Sequence, residues 1–282
     1  MNFHQKPITF VSHVHLKVED LIRSVQFYKE VVGFTILEQT KTLAKLTADG
    51  KNTLLTIEQP EDVLPQQGRA TGLYHFAILL PKRSDLADFV YHCVERGIRL
   101  GSSDHLVSEA LYFHDPDGNG IEVYTDRDPS TWIWQDQQVK MAVDPLDFED
   151  LLKQGSRHGW KGLPKDTVMG HIHLHVADLA TTEEFYRQGL GFEVVERFSD
   201  QALFISTGKY HHHIGLNTWN GVGAPRPVRN SVGLKCYTIK YPDKATLQKV
   251  ATNLKAIGAK VDVKEGKLIT EDPSGNQIIL SI

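Results

Sequence analysis

The run Leu111 to Glu122, LYFHDPDGNGIE, places a tyrosine and a carboxylate at fixed offsets on either side of a tight turn. Pro116 presets φ for that turn, and Gly118 and Asn119 tolerate positive φ, so the spacing predicts a β-hairpin. Side chains alternate along the returning strand, which sets Ile121 and Val123 on one face and Glu122 and Tyr124 on the other. If helices cover the greasy face, the carboxylate points into a concave interior, where an unpaired charge is costly and a metal ion or a base is the usual partner; the ordinary alternative is a surface carboxylate on a half-exposed sheet. Fourteen histidines supply candidates for that partner. His75 shares the face of Ala77; His171, His173 and His175 share one face of their strand; His13 and His15 do the same in theirs. A single strand histidine is ordinarily a satisfied core or surface residue. Several that open repeat-related strands, with a carboxylate ending another, suggest the face of two histidines and one carboxylate used by non-haem iron and open also to manganese, nickel or zinc.

The elements that must position these groups come in duplicate. HVHLKVEDLIRSVQFYKEVVGFTIL (13–37) and HIHLHVADLATTEEFYRQGLGFEVV (171–195) are identical at ten of 25 positions at an offset of 158, and DPDGN at 115–119 recurs as DPSGN at 272–276. Each half divides again, because a further strand-then-helix pattern starts at Leu73 and at Leu234. Four modules result, each reading βαβββ. In the first, a strand over 13–18 is followed by a helix capped by Asp20, with Ile22, Val25, Tyr28 and Val32 as its apolar face and Gly33 as its left-handed stop. Strands over 35–39, 42–47 and 53–57 complete it. This division predicts an N-terminal domain over 1–126 (modules one and two), a connector over 127–167 and a C-terminal domain over 168–282 (modules three and four). The connector, with a short helix near 146–153, is too long for a plain loop and is expected to pack across the domains or over the site.

A net charge of −4, with 23% charged and 40% hydrophobic residues, describes an ordinary globular chain without a basic field for nucleic acid. No apolar run has the length to span a membrane, and the start MNFHQKPITF lacks a signal-peptide core, so the expectation is a cytoplasmic protein with no nucleic-acid or membrane partner. Cys93 and Cys236 form neither a disulfide framework nor a paired metal motif and are expected to be packed thiols.

The βαβββ repeat, the strand histidine seven residues before Asp20 and Asp178, and the DPDGNGIE hairpin together resemble the vicinal oxygen chelate superfamily, which includes glyoxalase I, bleomycin-resistance proteins and type I extradiol dioxygenases. His105 to Glu122 is similar to the extradiol signature, closest to that of catechol 2,3-dioxygenase-like proteins; Ser103 departs from it where glycine or another small or apolar residue is preferred. The resemblance implies an α+β fold of four modules forming two half-open, cup-shaped β-sheet barrels flanked by helices. It implies an extradiol dioxygenase that cleaves a catechol-like aromatic ring with O2 at a metal, ferrous iron first and manganese, nickel or zinc after it, in a chain that is a candidate homodimer. The alternatives are a glyoxalase-type metal lyase or isomerase, for which Glu58 would be the second carboxylate, and a non-catalytic module binding an aromatic or antibiotic.

Carried over residue by residue, the resemblance makes His75 and Glu122 metal ligands and makes Tyr112 and His105 the pair that contacts substrate. The third ligand comes from the opening strand of a partner module, which offers His13 or His171, and an acid/base histidine comes from KYHHHIGLN. His212 fits the latter by its spacing to the apolar run, yet alternation sets it with Ile214 and Leu216, so His211 and His213 stay open. Module one has no histidine at the corresponding strand, which favours modules two and three as the metal-holding pair, with His171 as ligand and His13 facing a cavity without metal. Module four carries Cys236 and Ile279 where module two has His75 and Glu122. In this scheme the strand histidine takes a catechol proton and returns it, and Tyr112 donates a hydrogen bond to charge developing on the substrate. Trp132, Trp134 and Trp219 are candidates to line an aromatic pocket, with simple packing the ordinary alternative.

Overall fold

Each module opens on a strand whose apolar side chains alternate, then caps a helix with the aspartate that follows. Asp20 accepts from Arg23 N at 3.0 Å and Asp178 from Thr181 N at 2.8 Å, satisfying first-turn amides that have no partner within the helix. In a computed structural model describing residues 2–66, 68–156 and 159–282, these caps start α1 (Leu21–Phe27) and α4 (Leu179–Glu184). Each helix ends in a π turn, Tyr28–Val32 and Phe185–Gly189, and Gly33 closes the first at φ 94°. The buried stripe of α1 begins at Leu21 rather than Ile22, which is 77% exposed. Positions 21, 25, 28 and 32 step by four, three and four and stay on one side of the helix, whereas Ile22 is turned away from it.

Module one contributes β1 (Phe10–Lys17), β2 (Thr35–Gln39), β3 (Leu43–Thr47) and β4 (Leu55–Glu58). Module two contributes β5 (Gly72–Leu79), α2 (Arg83–Glu95), β6 (Gly101–Asp104), β7 (Ser108–His114) and β8 (Gly120–Asp126). The connector holds a two-residue ladder, β9 (Trp134–Gln135) with β10 (Gln138–Val139), and α3 (Phe148–Leu152). Module three supplies β11 (Val168–His175), β12 (Glu193–Phe198), β13 (Ala202–Ser206) and β14 (Ile214–Asn217). Module four supplies β15 (Gly233–Lys240), α5 (Lys244–Ala256), β16 (Val261–Lys264), β17 (Lys267–Glu271) and β18 (Gln277–Ser281).

Two eight-stranded mixed sheets result, in the α+β arrangement expected. One has the order β12-β13-β14-β11-β5-β8-β7-β6 and joins modules three and two; the other has the order β16-β17-β18-β15-β1-β4-β3-β2 and joins modules four and one. The sheets are therefore assembled across the linear division into 1–126 and 168–282, with one module from each half in each sheet. The antiparallel pairs β5/β11 and β1/β15 are the seams. One apolar core, including Val14, Phe76, Ile172 and Tyr237, runs between the sheets and the helices. The connector pairs with the rim of the sheet that joins modules two and three, where Asp104 N donates to Asp144 O at 2.9 Å and Asp144 N to Asp104 O at 3.0 Å. That pairing sets Met141, Ala142 and Val143 over one side of the cup. No helix among the described residues is long and apolar enough to cross a membrane.

Candidate metal centre and active site

The hairpin is built by side chains as well as by its proline and glycine. Asp115 Oδ1 accepts from the amides of Asp117 (2.9 Å) and Asn119 (2.8 Å), while Asn119 Nδ2 donates to Asp115 Oδ2 at 2.8 Å. Only Gly118 takes positive φ, at 86°; Asn119 acts through its amide rather than through a left-handed backbone. The turn delivers β8 in parallel register with β5, pairing Ala77 with Glu122, and in antiparallel register with β7, pairing Tyr112 with Glu122. Across the seam, Ala77 pairs with His171. Tyr112, Glu122, Ala77 and His171 thus form one row across four strands. The methyl of Ala77 leaves the space above it to its neighbours, and His75 enters that space from two residues earlier on β5.

Three donor atoms converge there. His75 Nε2 and His171 Nε2 each lie 3.0 Å from Glu122 Oε2, and the two nitrogens are 3.4 Å apart. Ligands held about 2.1 Å from a divalent metal and at right angles to one another stand about 3.0 Å apart, so the trio fits three adjacent positions of one ion. All three residues are buried. Burial, partly offset by Glu122, pushes the His171 pKa down to about 4, so its imidazole is neutral and presents a lone pair. His171 Nδ1 is buried without a hydrogen-bond partner among the described residues, which leaves Nε2 as the nitrogen directed into the centre. The structure brings His171, not His13, to His75 and Glu122. His13 lies in the other sheet, with Nε2 2.7 Å from Thr56 Oγ1.

His105 and Tyr112 stand beside the trio. His105 Nδ1–H donates to Ala142 O at 2.6 Å, so in the neutral ring Nε2 is an acceptor and takes the Tyr112 hydroxyl proton, also at 2.6 Å. Burial and the charge of Glu122 raise the Tyr112 pKa well above 10, so the phenol keeps its proton. The Tyr112 hydroxyl thus stands between His105 Nε2 and the Glu122 carboxylate, beside the cavity where a substrate would sit.

Of the three clustered histidines, His212 lines the cavity. These residues precede β14, so strand alternation does not govern them. His213 turns the other way, to Phe3 O at 3.1 Å and Ser206 Oγ at 3.2 Å. His211 Nε2–H donates to Asp126 Oδ1 at 2.8 Å, which leaves its Nδ1 as an acceptor for His212 Nδ1–H, also 2.8 Å away. The carboxylate thereby fixes two tautomers in succession, and the His212 Nε2 lone pair is left for the cavity. Neither Asp126 nor His211 is marked by the repeat or the hairpin. The available signal was that Asp126 closes the strand of Glu122 on the same face.

The cavity above these groups has a volume of about 390 Å³. Its wall is a closed circuit of rings, with centroids 4.1 Å apart for His171 and His212, 4.9 Å for His212 and Phe204, and 5.5 Å for Phe204 and His173. The circuit continues at 5.3 Å from His173 to Trp219, 5.1 Å to Tyr74, 5.0 Å to His75 and 5.5 Å back to His171. Asn217 Nδ2 holds His173 Nε2 at 3.0 Å, so this second histidine of β11 is wall rather than ligand. Trp132 instead packs against Phe3 and Tyr210, with Trp134 beside that cluster.

Paired βαβββ modules that cup three side chains able to hold a metal ion define the class, and the chain belongs to the Glyoxalase/Bleomycin resistance protein/Dioxygenase superfamily, whose family model matches residues 11–123 and again 168–280. It is 45% identical over 268 residues, 94% of each chain, to catechol-2,3-dioxygenase of Bacillus subtilis. It is also 30% identical over 119 residues to biphenyl-2,3-diol 1,2-dioxygenase 3 of Rhodococcus globerulus, covering 41% of this chain and 63% of that one. Glyoxalase I from Zea mays shares the fold at a TM-score of 0.59 and 17% identity, over 96% of this chain and 92% of that one.

Proposed function

We propose that this protein is an extradiol dioxygenase that opens a catecholic ring with O2 at a ferrous ion held by His75, His171 and Glu122. The observation that carries this reading is the convergence of those three donor atoms at the floor of an aromatic-walled cavity. The 45% identical relative, a catechol-2,3-dioxygenase, supports it over nearly the whole chain. Bound there, ferrous iron would supply a Lewis-acid hold on two vicinal oxygens and redox access to O2. The residues do the rest. His212 Nε2 takes a proton from a catechol hydroxyl, and Asp126 through His211 stabilises the imidazolium that forms. Tyr112 and His105 hold a second proton between Oη and Nε2, placed to be turned toward charge developing on the substrate. The ring circuit keeps the substrate flat and sheds water from around it.

The glyoxalase-type alternative calls for a second carboxylate at the centre. Glu122 is the carboxylate among the described residues lining the cavity, while Glu58 lies in the other sheet, 2.6 Å from Lys235 Nζ. The test is anaerobic loading with ferrous iron, followed by oxygen uptake and a screen for yellow ring-fission products from catechols. Stoichiometric uptake is expected. Equal turnover with zinc, or none with any catechol, would sink the reading.

A further inference from the structure

We propose that the ring taken by this cavity carries an uncharged, apolar substituent directed to its mouth, and that a ring carboxylate is refused. The inference rests on the proposed reading in one respect, that the two vicinal oxygens occupy the end near His75, His171 and Glu122. The remainder of the ring must then face the opposite wall.

Away from the histidines, that wall offers an anion no fixed cation. Neither lysine nor arginine is found among the described residues lining the cavity. The nearest arginine in sequence, Arg197 beside Phe198, is engaged with Glu183 at 2.7 Å. The other polar residues of the lining include three uncharged serines, Ser102, Ser103 and Ser108, of which Ser103 donates to Asp144 O at 3.4 Å. A carboxylate placed there would lose its hydration without gaining a cation, and it would share a low-dielectric space with Glu122.

The mouth, in contrast, is apolar and open. Val143 is 67% exposed, Phe198 41% and Trp219 39%, and all three line the cavity. Exposed apolar side chains gathered at a cavity rim are what a hydrophobic substituent would cover on binding. The ring contacts of Trp219 with Tyr74 and His173 hold its indole at that rim rather than leaving it free. A bare catechol would leave this rim wet; an alkyl or aryl group would dry it.

The experiment compares three substrates on the iron-loaded enzyme: catechol, a catechol with a phenyl or tert-butyl group, and 3,4-dihydroxybenzoate. Both kcat/KM and anaerobic calorimetric affinity are read. The apolar catechol is expected to exceed catechol by about 10-fold and the carboxylate to fall about 100-fold below it. Val143→Arg and, separately, Phe198→Arg are expected to raise kcat/KM for the carboxylate about 10-fold by supplying the missing cation, at the expense of the apolar substrate. Both positions are exposed enough to accept arginine without repacking a core. A carboxylate handled as well as catechol by the unmodified enzyme would overturn the proposal, as would arginine at both positions with discrimination unmoved. Oxygen uptake by none of the three, with the affinity order intact, would remove the dioxygenase reading while supporting the ligand class.

Discussion

Gly120 is where the geometry of the proposed metal centre depends on an absent side chain. It is the first residue of β8, paired with His75 across the parallel ladder. A Cβ built there meets the backbone oxygen of Tyr74 at 2.1 Å and His75 Cβ at 3.1 Å, where ordinary contact begins at 3.4 Å. In Gly120→Ala the two strands must therefore part by about 1.3 Å at the ligand pair, the shortfall between those distances. The 3.0 Å separation of His75 Nε2 from Glu122 Oε2 would open beyond what adjacent positions on one ion span. Overpacking of this kind costs about 1–3 kcal/mol, so the protein stays folded. Iron affinity should fall about 10- to 100-fold and kcat/KM about 100-fold, because a displacement near 1 Å has that effect on a positioned site. Metal content by elemental analysis and oxygen uptake read the two quantities. Gly101→Ala is the control in the same sheet, since its Cβ would sit 3.4 Å from Tyr112 Cβ and displace nothing. Full iron occupancy and undiminished turnover in Gly120→Ala would refute the argument that Glu122 and His75 are held to ångström tolerance by that ladder.

Other outcomes follow from the same geometry. Chelation should abolish oxygen uptake, and ferrous iron should restore it where zinc does not; recovery with zinc would point to Lewis-acid chemistry instead. His171→Ala should lose metal and His13→Ala should keep it, and the opposite pattern in elemental analysis would move the centre to the other sheet. Asp126→Ala should retain iron and lose about 10- to 100-fold in kcat with an altered pH profile; an unchanged profile would show that His211 does not fix the His212 tautomer. His4 is buried with Nε2 2.8 Å from Gly170 O, and burial depresses its pKa to about 4. Because the unfolded chain binds this proton near pH 6.5, stability should fall from about pH 6.5 toward 4, by about 3 kcal/mol for this group, and be unaffected above that window. Urea midpoints of wild type and His4→Gln across that range should converge at low pH, and parallel curves would count against it.

Much of the site was legible because it rests on period-two alternation and on one hairpin. The shared faces of Glu122, His75 and His171 follow from alternation, whereas the parts given to Tyr112 and His105 came from the family resemblance. Alternation stops being informative where the backbone leaves the strand, which is why the choice among His211, His212 and His213 needed coordinates. The Asp126–His211–His212 chain was hidden for a different reason. It joins residues 85 positions apart by side-chain hydrogen bonds that no local pattern encodes. Ile22 was misplaced because one residue of offset in a helix is a rotation of about 100°, and the stripe starts at Leu21. The pairing of modules is the largest feature the repeat could not decide. Near-identical modules present similar edges, so two-with-three and one-with-two satisfy the same pattern until the seam β5/β11 is seen.

That pairing also explains what the sheet without the metal trio does for the one with it. Its equivalent positions are Cys236 and Ile279, and His13 and Glu58 are engaged locally with Thr56, His15 and Lys235. It acts instead through a tyrosine. Tyr28, in the π turn of module one, donates to Asp115 Oδ2 at 2.8 Å and so braces the turn that launches β8 and Glu122. Burial and the Asp115 charge raise the Tyr28 pKa well above 10, which keeps the donor protonated. Tyr186 of module three makes the matching bond to Asp272 in module four at 3.2 Å. Sheets couple two with three and one with four, while these tyrosines couple one with two and three with four. The four modules are thus closed into a cycle, and the turn that carries the proposed carboxylate ligand of one sheet is hydrogen-bonded by a hydroxyl from the module of the other.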